Sequence, residues 1–209
     1  MRNVRPISDS TVRRLSLYLR FLEQAELQGR ATLSSGELAR LGGTTSAQVR
    51  KDLSFFGSFG KRGLGYSVTE LTGRIREILG LKRSHRVVLV GAGKMGGALL
   101  HYQGFRQHGF DFAAIYDRDP KKIGSSWNGL VVRDIRHMEA DLKREPTDIA
   151  IVVTPAEAAQ DVADRLVRGG VKAILNFAPV QLVVPLGVAV QSVNMALELE
   201  TLSFALANR

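Results

Sequence analysis

Residues 87–96 read Val-Val-Leu-Val-Gly-Ala-Gly-Lys-Met-Gly, a β-branched run that breaks into the spacing G-x-G-x-x-G. Few short stretches restrict a fold so tightly. Gly91 permits a tight turn where a strand ends. Gly93 lets a pyrophosphate approach the backbone, and Gly96 lets the following helix pack closely on the strand. The helix opening at Lys94-Met95 then offers free N–H groups and its positive dipole end to phosphate. Alone, the pattern is weak. Here the preceding strand is in place, and Asp117 ends a second apolar run 21 residues after Gly96. A carboxylate there accepts from ribose hydroxyls and repels a 2′-phosphate, which favours NAD(H) over NADP(H). The adjacent Arg118 keeps NADP(H) as a minor alternative, and Asp117-Arg118-Asp119-Pro120 also suits an ordinary strand-to-helix turn.

The rest of the second half continues the theme. Short β-branched runs at 87–90, 113–116, 149–153, 172–176 and 188–193 alternate with helix-length segments. That alternation indicates βαβ units and a parallel sheet. Ligands of open α/β sheets lie at the carboxyl ends of strands. Thr154-Pro155 and Asn176-Phe177 therefore join Gly91, Ala92, Gly93, Lys94, Met95, Gly96, Asp117 and Arg118 as candidate cofactor residues. Loop punctuation explains the Thr-Pro and Asn-Phe pairs equally well.

Charge divides the chain. Of a net +9, residues 1–84 hold 15 Lys and Arg against 7 Asp and Glu, while 85–209 hold 14 against 13. A basic segment beside a neutral body suggests a nucleic-acid-binding module, although a merely soluble basic domain has the same charge. The chain has no cysteine, which excludes disulfides, thiolate metal sites and cysteine nucleophiles. No apolar run is long enough for a membrane span, and the basic start lacks an apolar signal segment. A cytoplasmic location is expected.

The basic segment reads as helices around glycine turns. A first helix is expected from Asp9 or Ser10 to Gln28, with Gly29 as its stop. Ser34-x-x-Glu37 is a capping box for a short helix over 36–41, and Gly42-Gly43 forces a turn. Thr45-x-x-Gln48 reads as a second capping box, opening a helix to about Phe55. Two helices about a glycine turn make a helix-turn-helix. The second helix exposes Ser46, Gln48, Arg50 and Lys51, with Val49 and Leu53 facing inward. Gln suits adenine N6/N7, and Arg or Lys suits guanine O6/N7; a solvated basic helix is the plain alternative. Residues 56–68 follow, with glycines spaced as in a tight hairpin and Lys61-Arg62 at its tip. Such a wing can enter a narrow minor groove.

The fold class expected is therefore α/β, in three parts: an N-terminal winged helix-turn-helix over 1–80, a linker at 81–85 and a Rossmann-like parallel-sheet domain over 86–193. His85, His101, His108 and His137 form no evident acid–base pair with a strand-end carboxylate, and metal-ligand spacing is absent. Some 120 residues leave no room for a substrate domain. No catalytic residue is expected, and the cofactor reads as a signal. A small NAD-dependent oxidoreductase with a basic accessory domain, and a CoA-binding regulator, remain alternatives.

The residues also resemble a family. Tyr18-Leu19-Arg20, residues 48–54 (Gln-Val-Arg-Lys-Asp-Leu-Ser), 60–66 (Gly-Lys-Arg-Gly-Leu-Gly-Tyr), Gly91-Ala92-Gly93, Tyr102 with Gly104-Phe105, 117–120, 176–179 and Leu202-Ser203-Phe204-Ala205 together resemble the redox-sensing transcriptional repressor Rex family. The resemblance implies a homodimer of winged-helix heads on Rossmann bodies, and a C-terminal part over 194–209 whose helix, at 195–207, is swapped and inserted between the partner's domains. It implies inverted-repeat operator DNA as partner, held when NADH is low and released when NADH binds in place of NAD+. It adds Ser54, Gly63 and Tyr66 to a DNA-binding set that already holds Lys61 and Arg62. It implies a switch in which Tyr102 lies near the nicotinamide and Arg20 links head to cofactor layer. Where the family has an acid and an aromatic at the start of the swapped helix, this chain has Asn194-Met195. Asn194 still accepts a hydrogen bond but carries no charge, so an ion-pair switch is weaker or differently wired here.

Overall fold

The computed structural model describes residues 7–60 and 64–208. The expected wing tip, Lys61, Arg62 and Gly63, lies outside the described residues. The chain divides into two compact units, one ending at Arg83 and the other beginning at Ser84.

The first unit, the head, comprises α1 (Asp9–Leu27), β1 (Thr32–Leu33), α2 (Ser35–Leu41), α3 (Ser46–Ser54), β2 (Tyr66–Ser67) and α4 (Val68–Ile78). Its helix starts follow side-chain capping. Ser8 caps α1 by accepting from Thr11 N, and Ser34 and Glu37 form the full capping box of α2. Thr45 accepts from Gln48 N at 3.1 Å, but the second box is only half made, because the Gln48 side chain turns to Asp52 instead. Leu15, Tyr18, Leu22, Leu38, Val49, Leu53 and Ile75 fill one core, each no more than 1% exposed.

The tip of the hairpin expected within 56–68 falls at residues 61–63, outside the described residues. The hairpin's second strand pairs with a segment that precedes α2: Thr32 lies opposite Ser67 and Leu33 opposite Tyr66, antiparallel. Gly65 makes this possible. It has φ +80, and a Cβ there would stand 2.7 Å from Leu33 O. Only glycine lets the chain pass so close.

The second unit, the body, is a seven-stranded sheet with helices on both faces. It runs β3 (His85–Val90), α5 (Lys94–His101), α6 (Gly104–Gln107), β4 (Phe110–Asp117), β5 (Ser126–Trp127), β6 (Leu130–Asp134), α7 (Met138–Arg144), β7 (Ile149–Val152), α8 (Ala156–Arg168), β8 (Ala173–Asn176), β9 (Ala189–Ser192) and α9 (Met195–Ala207). The spatial order is β5-β6-β4-β3-β7-β8-β9, parallel throughout except for the short β5 edge. Counting the parallel strands in chain order gives 3-2-1-4-5-6, the doubly wound arrangement. The β5–β6 pair is not among the sequence-based strands. Alternate residues of β3 serve two cores: Val87 and Leu89 face α5, while Val88 and Val90 face α7 and α8. A strand buried on both faces reads as continuous Val and Leu for that reason.

Candidate functional site

In the doubly wound order, β3 and β7 are neighbours whose following helices leave to opposite faces, which opens a crevice at the carboxyl end of the sheet. Two tight loops meet there. Gly91 has φ +112, and a Cβ on it would fall 2.7 Å from Val153 O, so the loops after β3 and β7 touch through this glycine. Gly96 is as constrained: its Cβ would lie 2.1 Å from Gly91 O. Gly93 differs. Nothing lies within 4 Å of a Cβ built there, so its open side faces the space above the loop. Helices α5 and α8 both begin at this crevice, behind Gly93 and Pro155, without a side-chain cap. Their first-turn N–H groups are left for an anion.

The crevice is a cleft of about 710 Å³ lined by Val90, Gly91, Gly93, Asp117, Arg118, Asp119, Pro120, Lys122, Ile135, Val153, Thr154, Pro155, Ala158 and Val162. That volume lies within the usual range for ligand sites. It gathers Gly91, Gly93, Asp117, Arg118, Thr154 and Pro155 from the expected set. Ala92 is 1% exposed and contributes its backbone. Lys94, Met95, Gly96, Tyr102, Asn176 and Phe177 are not among the lining residues. Tyr102 is 61% exposed and packs edge-on against Phe105 at 5.2 Å. Thr154 Oγ1 is buried and has no hydrogen-bond partner among the described residues, an orphan atom in the cleft wall.

Asp117 is only 8% exposed and well supplied with donors. Its Oδ2 accepts from Ala92 N at 2.6 Å and from Lys122 Nζ at 3.3 Å, and its Oδ1 accepts from Asp119 N at 2.8 Å. Burial alone pushes this carboxyl up. The Asp119 and Ala92 N–H groups and Lys122 outweigh it and hold the group below the ordinary carboxylate range. Sequence reasoning overlooks Lys122; its signal is a lysine five residues beyond the strand-end acid. The side chain of Asn176 is engaged within its own loop. It is fully buried, its Nδ2 donates to Ala178 O and Val180 O, and its Oδ1 accepts from Ala178 N. An amide so occupied shapes the loop after β8.

In the head, α3 leaves Arg50, Lys51 and Ser54 exposed and Ser46 and Gln48 half-buried. Arg50 Nη1 donates to Ser35 Oγ at 3.1 Å across the turn between α2 and α3. Tyr66, expected on the DNA-binding surface, is 7% exposed and belongs to the core of the head, because pairing with Leu33 turns it inward. For the switch set, Arg20 lies 3.5 Å from Glu23 on its own helix, and Asn194 caps α9 by accepting from Ala196 N at 3.0 Å. Among the described residues no helix is long and apolar enough to cross a membrane, and no cluster of acids and histidines could hold a metal.

Comparison with known proteins accounts for both units. Residues 6–54 match the family model described as a putative DNA-binding protein N-terminus, and residues 82–180 match a CoA binding domain. The redox-sensing transcriptional repressor Rex of Desulfitobacterium hafniense is 46% identical over 97% of each chain. The protein of the same name from Carboxydothermus hydrogenoformans is 48% identical over 95% of each. Among solved structures, the Rex-family repressor RSP in complex with β-NAD+ and operator DNA superposes with a TM-score of 0.93 at 38% identity, covering 98% of this chain and 94% of that one. RSP in complex with β-NADH gives 0.88 at 36%, covering 98% and 96%. These relatives carry the name of a repressor and not of an enzyme, and the chain belongs to the Rex family of redox-sensing transcriptional repressors.

Proposed function

We propose that this chain is an NADH-responsive transcriptional repressor, in which the head holds inverted-repeat operator DNA through α3 and releases it when NADH occupies the body. The observation that carries the reading is the open side of Gly93 between two uncapped helix starts, a cradle for a pyrophosphate. Gly91, Ala92, Gly93 and the first turn at Lys94-Met95 would hold the phosphates, with Thr154-Pro155 opposite. Asp117 would take the ribose, with Arg118 beside it, and Ile135, Ala158 and Val162 supply apolar walls for adenine. Oxidised nicotinamide is cationic and reduced nicotinamide neutral, and Tyr102 with Phe177 would meet that end.

On this reading residues 1–80 are the DNA-binding head, 81–85 the linker, 86–193 the nucleotide body and 194–209 a helix taken up by a second copy. The protein acts as a cytoplasmic homodimer, with Ser46, Gln48, Arg50, Lys51, Ser54 and the segment 61–63 toward DNA. Arg20, Tyr102 and Asn194 are the residues assigned to the switch. Support comes from RSP, solved with β-NAD+ and operator DNA and also with β-NADH. The test is an electrophoretic shift on an A·T-rich inverted repeat, titrated with NADH, NAD+ and CoA. Release by NADH at lower concentration than by NAD+ is expected. Release by CoA alone would transfer the cleft to the ligand named by the matched domain model.

A further inference from the structure

Asp52 sits on the inner face of α3 between Val49 and Leu53 and is fully buried. Its Oδ2 accepts from Arg14 Nε at 2.6 Å and from Tyr18 Oη at 3.0 Å. Its Oδ1 accepts from Arg14 Nη2 at 2.8 Å and from Gln48 Nε2 at 2.8 Å. Four donors fill the acceptor sites of a carboxylate. The Arg14 and Tyr18 donors reach across from α1 and fasten α3 to it. The fourth, Gln48, belongs to α3 itself, one turn earlier on the same face.

The consequence falls on Gln48. A carboxylate only accepts, so the amide nitrogen of Gln48 faces Asp52 and one of its two hydrogens is spent there. One N–H and the carbonyl oxygen are left over. That pair matches adenine, whose major-groove edge offers N7 as acceptor and N6–H as donor. Guanine offers two acceptors, N7 and O6. Against it, a glutamine with one hydrogen withheld has one donor too few, and its oxygen opposes O6.

We propose that Asp52 is a positioning residue for sequence recognition: by holding one amide hydrogen of Gln48, it makes that side chain read adenine and reject guanine. The proposal rests on the reading of α3 as the DNA-reading helix. It is tested on the full-length protein with an inverted-repeat duplex selected by the protein from a randomised pool. Each A·T pair of the half-site is changed in turn to G·C, and affinity is read by fluorescence anisotropy.

The wild type should prefer A·T at one pair by roughly five-fold or more, and Gln48→Ala should level that preference alone. Asp52→Asn turns an N–H group toward Gln48, which then shows both its hydrogens outward, and the preference should vanish or reverse to G·C. Arg14→Gln combined with Asp52→Asn removes the guanidinium left without its counter-charge and should show the same change. Tyr18→Phe takes one donor from Asp52 without touching Gln48. It should lower the melting temperature and keep the A·T preference. An Asp52→Asn or double variant that keeps the preference while Gln48→Ala loses it overturns the proposal alone. A Gln48→Ala protein with every preference intact removes Gln48 as a reader, and the proposal falls with that assignment. Should neither Asp52 variant fold, amide proton exchange in the wild type decides: one Gln48 side-chain hydrogen should exchange more slowly than the other, and equal exchange overturns the proposal.

Discussion

The backbone N–H of Ala92 donates to Asp117 Oδ2 at 2.6 Å, tying the glycine loop to the end of β4 across 25 residues of sequence. The acid therefore shapes the loop as well as facing the cleft. Asp117→Asn tests both roles. Asp117 takes Ala92 N, Asp119 N and Lys122 Nζ on two oxygens, whereas an amide has one acceptor oxygen and aims N–H at an N–H. One backbone donor loses its partner, at a cost of about 1–3 kcal/mol. The body should melt several degrees lower and NADH affinity should fall at least ten-fold, with operator binding in the absence of nucleotide retained. Calorimetric titration and thermal melting measure the two effects, and an unchanged NADH affinity would detach Asp117 from the site.

Gly93→Val should separate folding from sensing. A Cβ at Gly93 meets nothing within 4 Å, and its φ of −95 is open to any residue. The body should fold with a melting temperature close to that of the wild type. The new side chain fills the place that a pyrophosphate needs. The variant should stay on operator DNA at NADH concentrations that release the wild type. Release at the wild-type midpoint would show that the glycine loop is not the sensor.

Gly96→Ala makes the opposite case with a smaller change. A methyl at this position would stand 2.1 Å from Gly91 O, a backbone atom with no rotamer to move. Helix α5 must shift away from β3, and overpacking of this kind costs about 1–3 kcal/mol or more. The expected result is a destabilised body by differential scanning calorimetry, with nucleotide binding lost along with the fold. A wild-type melting temperature would contradict the packing described.

What sequence reveals and what it hides here follows from the range of each signal. The Gly91 loop and the Ser34–Glu37 box depend on residues within a few positions of one another, and both are legible; the span of α9 comes from the family resemblance. Strands β1 and β2 have two residues each, too short for a period, so their pairing is invisible before Gly65 is seen against Leu33. Tyr66 reads as exposed among glycines because the partner that turns it inward lies 33 residues earlier in the sequence. Strand β6 follows a turn at Asn128-Gly129, both with positive φ, and its Leu-Val-Val run is only three residues long. Asp52 does leave a trace: a lone acid beside Val49 and Leu53 on an inward face needs a cation within reach, and the half-buried Arg14 supplies it.

The phenol of Tyr18 predicts an alkaline limit for the head. Burial, together with its bond to the Asp52 carboxylate, pushes it up to about 12. A phenol raised in the folded state stabilises the fold fully below its unfolded value near 10. That contribution is lost as pH rises from about 10 toward 12. It amounts to about 3 kcal/mol. Unfolding of the head should steepen across this window, and Tyr18→Phe should flatten the dependence while lowering stability at neutral pH. Urea melts at a series of pH values measure it, and equal slopes in the two proteins would exclude the phenol.

Helix α9 carries the last prediction. Met195, Leu197, Leu199, Leu202, Phe204 and Leu206 are each 56–70% exposed, and the helix buries no residue within its own protomer. A helix that is apolar around its circumference belongs in an interior. Covering each such side chain is worth about 2 kcal/mol, so a second copy of the chain has ample reason to enclose it. Truncation after Asn194 should therefore convert a dimer into a monomer by light scattering. The body should keep its fold, because every described residue of α9 is exposed within its own protomer. Operator affinity should fall by at least ten-fold, since one head then engages one half-site without its tethered partner. Leu199→Glu with Leu202→Glu should act in the same direction with the full chain present, which separates the loss of apolar surface from the loss of length. A truncated protein that remains dimeric and binds the inverted repeat at wild-type affinity would remove α9 from the assembly.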